Sequence, residues 1–461
     1  MCVICFSGFF MSTHIISIET LDAEGRGIGH LPNEDGTQGK VVFVEGALPG
    51  ELVQCESWKK KSKWELARTL SLLHESSLRV VPACPHFGVC GGCSMQHLDS
   101  AAQVALKQRV LEDNLWHIGR VRAENVLRPI HGPYWGYRYR ARLSVNHVPK
   151  KGGILVGFRE RQSRYVADMK QCSILPRHVS DMLVPLRELI GSLSIFRQVP
   201  QIEVAVGNGA SGPVTALLLR IMAPLTTEDE SRLKRFADEY RVQWWLQSKG
   251  PDTISLFYPA DNKLEYVLPE FAVEMPFKPG DFTQVNHQIN QVLVSRAIRL
   301  LGVESHERVA DLFCGLGNFS LPIARHAKEV TGIEGSEILT QRAKENAVLN
   351  GLEKKTRFET RNLFEMTVGD WMALGPFDRV LIDPPRDGAA SVCQTIAALG
   401  NDQNAFRPKR IVYVSCNPST LARDAGILVT EGRYRLVFAG VVNMFPHTSH
   451  VESMAVFERI G

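Results

Sequence analysis

Cys416 closes the run Val412-Tyr413-Val414-Ser415-Cys416-Asn417-Pro418-Ser419. The β-branched and aromatic residues read as a strand, and the proline as the first turn of a helix. A cysteine between them lies at the carboxyl edge of a sheet beside a helix N-terminus, whose partial positive charge favours the thiolate. Lone cysteines after strands are more often inert core thiols; here the placement beside a ligand loop argues for a nucleophile. A thiolate that adds to an unsaturated carbon needs a base to let it leave again. Three candidates stand in Pro446-His447-Thr448-Ser449-His450-Val451-Glu452, namely His447, His450 and Glu452. A carboxylate serves if partial burial raises its pKa, and spacing alone favours Glu452 only weakly.

The ligand loop is Asp311-Leu312-Phe313-Cys314-Gly315-Leu316-Gly317-Asn318-Phe319-Ser320. Its two glycines allow a tight turn and close backbone approach at the strand end. A third glycine is missing, so the loop is a poor dinucleotide fingerprint. Glu334 ends the next strand, 19 residues after Gly315, where a carboxylate can accept both hydroxyls of a ribose. Asn362 and Asp383, the latter in Asp383-Pro384-Pro385-Arg386, complete a polar rim. That set suits S-adenosylmethionine, which has no pyrophosphate and carries a sulfonium charge that tolerates carboxylates.

A second group is Cys84, Cys90 and Cys93, spaced C-x5-C-x2-C with turns at Pro85 and Gly91-Gly92. Cys172 is the nearest remaining cysteine in the central region to complete a set of four. Four thiolates fit zinc or a [4Fe–4S] cluster, and the five-residue gap favours iron–sulfur. Cys55 and Cys393 read as ordinary buried thiols.

The elements that position these residues fall into three regions, consistent with a chain of 461 residues. Residues 12–73 hold short alternating strands with Gly and Pro turns, as in a small OB-like β-barrel. Lys59, Lys60, Lys61 and Lys63 flank Trp58 and Trp64 there, suiting phosphate and base contacts as well as they suit a solvated loop. Residues 74–273 are α+β, with the cysteine turn, a helix over Ser100–His117 and strands at Ile202–Val206 and Val214–Ile221. From residue 274 to 461, strands at Arg308–Phe313, Glu329–Ile333, Arg379–Ile382 and Arg410–Val414 alternate with helices, predicting a Rossmann-like parallel sheet. Two further strands, near Tyr434–Val442 and Val451–Arg459, are placed to pair antiparallel at its edge.

Hydrophobic residues at 44% and charged residues at 22% are those of a globular protein. No apolar run is long enough to span a membrane, and the short apolar start lacks the features of a secretory signal. Met11 is a possible true start, which would make Cys2 and Cys5 a start-site artefact. The total charge of +4 hides a local excess: twelve Lys or Arg against Glu124, Glu160 and Asp168 between Arg120 and Lys170 give +9, leaving −5 elsewhere. A basic block on an otherwise acidic chain suits a polyanion.

Taken together, these motifs resemble the RNA uracil-5-methyltransferase family, in its branch acting on 23S ribosomal RNA with an N-terminal TRAM domain and an iron–sulfur cluster. The resemblance covers nearly all of the chain after Met11. It implies that Ser415-Cys416-Asn417-Pro418 carries the nucleophile, that Glu452 rather than a histidine is the base, and that Cys84, Cys90, Cys93 and Cys172 hold [4Fe–4S]. It also implies methyl-donor contacts from Gln284, Phe313, Asn318, Glu334, Asn362 and Asp383, and packing of residues 94–127 on the catalytic domain. The implied protein is a cytoplasmic monomer acting in rRNA processing on uridine 1939, flipped out of folded RNA. Other readings are methylation of a different rRNA or tRNA uridine, an amine methyltransferase, a non-catalytic ribosome-assembly factor and, last, a nicotinamide oxidoreductase.

Overall fold

The computed structural model describes residues 12–33, 37–209, 212–259, 263–399 and 406–460. Met1, Met11, Cys2 and Cys5 lie outside them. The described residues form two compact units. One runs through Phe87 and includes Cys93–Leu106 and His447–Ser449; the other comprises Gly88–Gly92, Lys107–Pro446 and the chain from His450.

The first unit is built on a six-stranded sheet in the order Ser12–Ser17, Leu52–Lys60, Trp64–His74, Gln38–Glu45, Gly27–Pro32, Thr20–Leu21. Alternate residues Ile16, Val42, Val44, Val53, Cys55 and Ala67 point to one side and make a single core with Ile18 and Ala47. The sheet curls until non-adjacent strands meet: a Cβ on Gly29 would lie 2.4 Å from Ile16 Cγ2. Only glycine allows that approach. Lys59 and Lys60 end one strand of the hairpin that Trp64 reopens, with Lys59 Nζ 5.7 Å from the Trp64 ring centroid.

The second unit holds two sheets. The first has eight strands, with Gln201–Gly209 and Gly212–Arg220 as its long central hairpin. The helix Thr227–Tyr240 opens on a capping box between Thr226 and Asp229 and covers it. The other sheet runs Thr356–Thr360, Glu329–Glu334, Arg308–Leu312, Arg379–Ile382, Arg410–Ser415, Glu452–Arg459, Tyr434–Val442, Asn125–Val126. Its first five strands are parallel, as the helical crossovers require. Glu452–Arg459 then enters antiparallel between Arg410–Ser415 and Tyr434–Val442. One hydrophobic core is continuous through both sheets, from Ala205, Ala216, Val273 and Met275 to Val309, Val330, Leu381 and Val412. No helix among the described residues is long and apolar enough to cross a membrane.

Candidate active site

Strand order decides where the site forms. The chain runs outward from Arg308–Leu312 in one direction, then returns to the other side at Arg379–Ile382. Loops leaving these two strands diverge, and the crevice between them is the ligand position of an open parallel sheet.

On one side of that crevice, the Arg308–Leu312 strand gives way to Phe313, which has φ +63°, and to Gly315 and Gly317 at +55° and +96°. A Cβ on Gly315 would meet no atom within 4 Å, so the turn borders open space. Glu334 holds the turn: its carboxylate accepts the N–H of Gly315 at 3.1 Å and that of Ser336 at 3.0 Å. Below it, Asp311 is fully buried; Oδ2 accepts from the Ser320 hydroxyl and Oδ1 has no partner. Burial, resisted by bonds to Ser320, pushes this carboxyl up to about 7. An open turn over an unmatched buried acceptor and a half-buried carboxylate fits a cationic amino-acid donor bearing a ribose.

The other expected donor contacts are unequal. Asn362 is exposed at the end of Thr356–Thr360 and caps a short turn by accepting from the N–H of Phe364. It borders a polar cavity of about 640 Å³ with Thr360, Arg361 and Asp370. The Phe313 ring lies 5.6 Å from that of Phe364. Gln284 is half-buried in the loop before helix His287–Leu301. Asn318 is already engaged: its amide exchanges hydrogen bonds with Asn290 at 2.9 and 3.0 Å and accepts from the Tyr266 hydroxyl at 2.9 Å. Its side chain therefore braces the loop.

Beyond the crevice stand Asp383, Cys416 and Glu452. Cys416 follows Arg410–Ser415, and the register puts Ser415 opposite Ser453. One step further along each strand, Cys416 and Glu452 face each other. An antiparallel strand is needed for this, because it delivers its first residue to the edge where parallel strands end. Burial first, then Asp383, raises the Glu452 carboxyl to about 8, against the pull of Lys107 and Arg386. Burial and the charge of Asp311 raise Asp383 to about 7.

The same burial corrects one expectation. The helix N-terminus was expected to favour a thiolate, but burial, then Glu452 and Asp383, push the Cys416 thiol up to about 11. A helix end contributes a fraction of a charge, which two neighbouring carboxylates and desolvation outweigh.

The surrounding bonds leave little freedom. Asn417 caps helix Pro418–Thr430 and donates through Nδ2 to the Arg386 carbonyl at 3.0 Å, tying the Asp-Pro-Pro-Arg turn to the end of strand Arg410–Ser415. Asp424, fully buried, accepts from the Tyr413 hydroxyl at 2.6 Å, the Ala389 N–H at 2.7 Å and Arg423 Nε at 2.8 Å. The two histidines considered as bases fall in different units. His447 lies buried in the first unit, with Gln103 Nε2 3.3 Å from its Nδ1. His450 lies 3.4 Å from Arg386, and burial lowers its pKa.

Among the cysteines of the second group, Cys84 and Cys93 belong to the first unit and Cys90 and Cys172 to the second. The Gly92 N–H approaches Cys90 Sγ at 3.4 Å, contact suited to a thiolate acceptor. Among the described residues, no three His, Cys, Asp or Glu side chains gather to hold a metal ion. The basic block is also partly consumed. Arg140 is bonded to the carbonyls of Pro279 and Asp281, Arg142 pairs with Glu203 and Lys151 with Glu160. Arg122 instead lies 4.2 Å above the exposed Trp116 ring.

Sequence reasoning missed Lys107, which is 1% exposed and acts electrostatically on Glu452. No local signal marks it, since a lysine in an amphipathic helix ordinarily reads as surface.

Residues 270–460 match the family model for tRNA (Uracil-5-)-methyltransferase, and residues 12–56 match that for the TRAM domain. The chain is 63% identical to the 23S rRNA (uracil(1939)-C(5))-methyltransferase RlmD of Cupriavidus pinatubonensis, over 97% of this chain and 96% of the relative. It is also 63% identical to the protein of that name from Ralstonia pickettii, over 96% and 98%. Among solved structures, the tRNA (uracil-54, C5)-methyltransferase of Pyrococcus abyssi, in complex with S-adenosyl-L-homocysteine, shares the fold with a TM-score of 0.71. That match has 23% identity and covers 96% of this chain and 100% of the other. With the TRAM domain at its N-terminus and the methyltransferase sheet at its C-terminus, the chain belongs to the S-adenosylmethionine-dependent RNA uracil-5-methyltransferase family.

Proposed function

We propose that this enzyme methylates carbon 5 of a uridine in 23S ribosomal RNA, the uridine numbered 1939 in its relatives' names, through a covalent adduct on Cys416 that Glu452 resolves. The observation carrying this reading is the pairing of Cys416 and Glu452 across two strands, with Asp383 on the next strand toward the glycine turn. Glu334, Asn362, Phe313, Gln284, Asp383 and the loop braced by Asn318 hold S-adenosylmethionine, which when bound supplies an electrophilic methyl group. Cys416 adds through sulfur to carbon 6, and the displaced π electrons make carbon 5 nucleophilic. After carbon 5 has been methylated, the ionised form of Glu452, a minor fraction at neutral pH, takes its proton; those electrons re-form the 5,6 double bond and expel the Cys416 thiolate. A thiol held near 11 is mostly protonated at neutral pH, so it gives up its proton to solvent before or as sulfur adds, and the thiolate expelled at the end takes a proton back. Asp383, able to carry a proton near neutrality, suits a hydrogen bond to the uracil edge.

A stacked base cannot enter this crevice, so the uridine flips out. We assign residues 12–73 to RNA binding, 74–273 to the cysteine set and basic stretch, and 274–461 to catalysis. The charges not consumed within the fold, with Trp116 under Arg122, suit phosphates and an unstacked base. Cys84, Cys90, Cys93 and Cys172 have the spacing and thiol chemistry for [4Fe–4S], and no step of the reaction is routed through it. Iron and sulfide in fourfold stoichiometry would support that assignment; zinc in a colourless protein would overturn it. On this reading the enzyme meets ribosomal RNA in the cytoplasm and acts as a monomer.

The test is incubation with 5-fluorouridine-substituted 23S fragments and methyl donor. Fluorine cannot leave as a cation, so the protein becomes trapped on RNA at one site. Cys416→Ala abolishes both methylation and trapping, whereas Glu452→Gln transfers methyl to RNA without fluorine yet stays covalently bound to it. Rapid turnover by Glu452→Gln would remove it as the base, and activity surviving Cys416→Ala would refute covalent catalysis.

A further inference from the structure

Two buried polar residues of helix Ser100–His117 take no part in the bond-making steps above. Gln103 is 0% exposed and Lys107 is 1% exposed. They are four residues apart and so lie on one face of the helix. Within the first unit, Gln103 Oε1 accepts the backbone N–H of His447 at 2.8 Å, and its Nε2 donates to the carbonyls of Leu98 at 2.8 Å and Met95 at 3.0 Å. The N–H groups of Ser94 and Met95 donate to the His447 carbonyl at 2.9 and 3.0 Å, and Ser94 Oγ accepts the N–H of Ser449 at 3.1 Å. His447 is thus bonded on both sides of its peptide unit while holding φ at +64°. That left-handed conformation is one a histidine seldom adopts and surrounding bonds must enforce.

Within the second unit, Lys107 Nζ donates to Asn443 Oδ1 and to the Phe445 carbonyl, each at 2.8 Å. An ammonium in that place carries a desolvation cost that a methionine of similar length would avoid. What both residues grip is a single stretch, 443–449, between the end of Tyr434–Val442 and the start of Glu452–Arg459. That stretch leads directly into Glu452, the first residue of the strand.

We propose that Gln103 and Lys107 are positioning residues for the base, fixing residues 443–449 so that the carboxyl group of Glu452 meets the proton on carbon 5. The inference rests on the assignment of Glu452 as that base. The charged and titratable groups acting around Glu452 are Lys107 from the helix, Asp383 and Arg386 from the neighbouring turn, and Cys416 from the adjacent strand. Burial lowers the Lys107 ammonium to about 7 against the pull of Glu452, so its loss removes positive charge that favours the carboxylate only where it is protonated, toward lower pH.

The test uses the full-length enzyme with Gln103→Leu and Lys107→Met, each close to its parent in volume, and Ser94→Ala as a milder variant. Single-turnover reactions with a methyl-tritiated donor report methyl transfer, and denaturing gels report the methylated RNA–protein adduct. Tritium release from 5-tritiated uridine in the RNA reports proton removal. The expected result is a methyl-transfer burst within twofold of the unsubstituted enzyme, with proton release slowed about tenfold and adduct accumulating in proportion. Ser94→Ala should show the same pattern more weakly. A parallel fall in burst and release, or no change in either, overturns the proposal. Should the two core variants fail to fold, Ser94→Ala decides by the same criterion. Glu452→Gln separates the two ideas. If it accumulates no adduct, the base assignment fails. If it accumulates adduct while the positioning variants do not, only the positioning inference fails.

Discussion

Replacing Glu452 with glutamine should make Cys416 a better target for alkylation even as it stops turnover. The Cys416 thiol stands near 11, raised by burial, then by Glu452, then by Asp383. At pH 9 about 1% is then thiolate, since each unit is tenfold. A neighbouring opposite charge is worth about one to three units; taking a like charge at the low end of that range, its removal brings the thiol down about one unit. Thiolate at pH 9 rises roughly tenfold, but nucleophilicity falls with pKa along a Brønsted slope near 0.4–0.5, about threefold per unit. The net expectation is roughly three- to fourfold faster alkylation. The sign carries its own check. Glu452 ionises only around pH 8, so below that its carboxyl is neutral and the two proteins should react alike. The gap should open as pH rises through 8. Rates come from iodoacetamide labelling of the Cys416 peptide followed by mass spectrometry between pH 6 and 10, with Cys416→Ala giving the background. Equal rates at pH 9 and above, or slower labelling of Glu452→Gln, would refute the placement of that carboxylate beside the thiol.

Glu334→Ala frees the N–H groups of Gly315 and Ser336 and should weaken S-adenosylhomocysteine binding at least tenfold, the order of one charge-assisted hydrogen bond pair; calorimetric titration checks it, and unchanged affinity would deny Glu334 its role. Asp424→Ala leaves the Tyr413 hydroxyl, the Ala389 N–H and Arg423 without their shared acceptor. It should cost about 3–5 kcal/mol of unfolding free energy, read from urea denaturation; a loss below about 1 kcal/mol would show that the pin is not structural. RNA affinity should fall steeply with salt, and Arg122→Ala should reduce the slope of log K against log salt by roughly 0.7 for a single-strand phosphate contact. An unchanged slope in filter binding would take Arg122 off the RNA surface.

The chain's local grammar was enough to read the alternation of strands and helices from Arg308 onward, because an apolar run followed by an amphipathic stretch is written over a dozen neighbouring residues. The same holds for the glycine turn, and for placing Glu334, Asp383 and Cys416 at strand ends. Helix Ser100–His117 was also legible, although not the two polar residues it buries. What a linear reading could not settle was which residue of Pro446–Glu452 stands opposite Cys416. That choice depends on register between Arg410–Ser415 and Glu452–Arg459, strands that are distant in sequence until the sheet is assembled.

Burial is likewise a property of the assembled chain. It turned Cys416 from an expected thiolate into a thiol near 11 and raised Glu452 to about 8. It tied Arg140 to internal carbonyls instead of leaving it for phosphates. The sequence by itself determined which residue types reach the sheet's carboxyl edge, because that follows from local periodicity and turn chemistry. Only the tertiary structure decided which of them face one another and in what protonation state, because cross-strand register and desolvation are set by residues far along the chain.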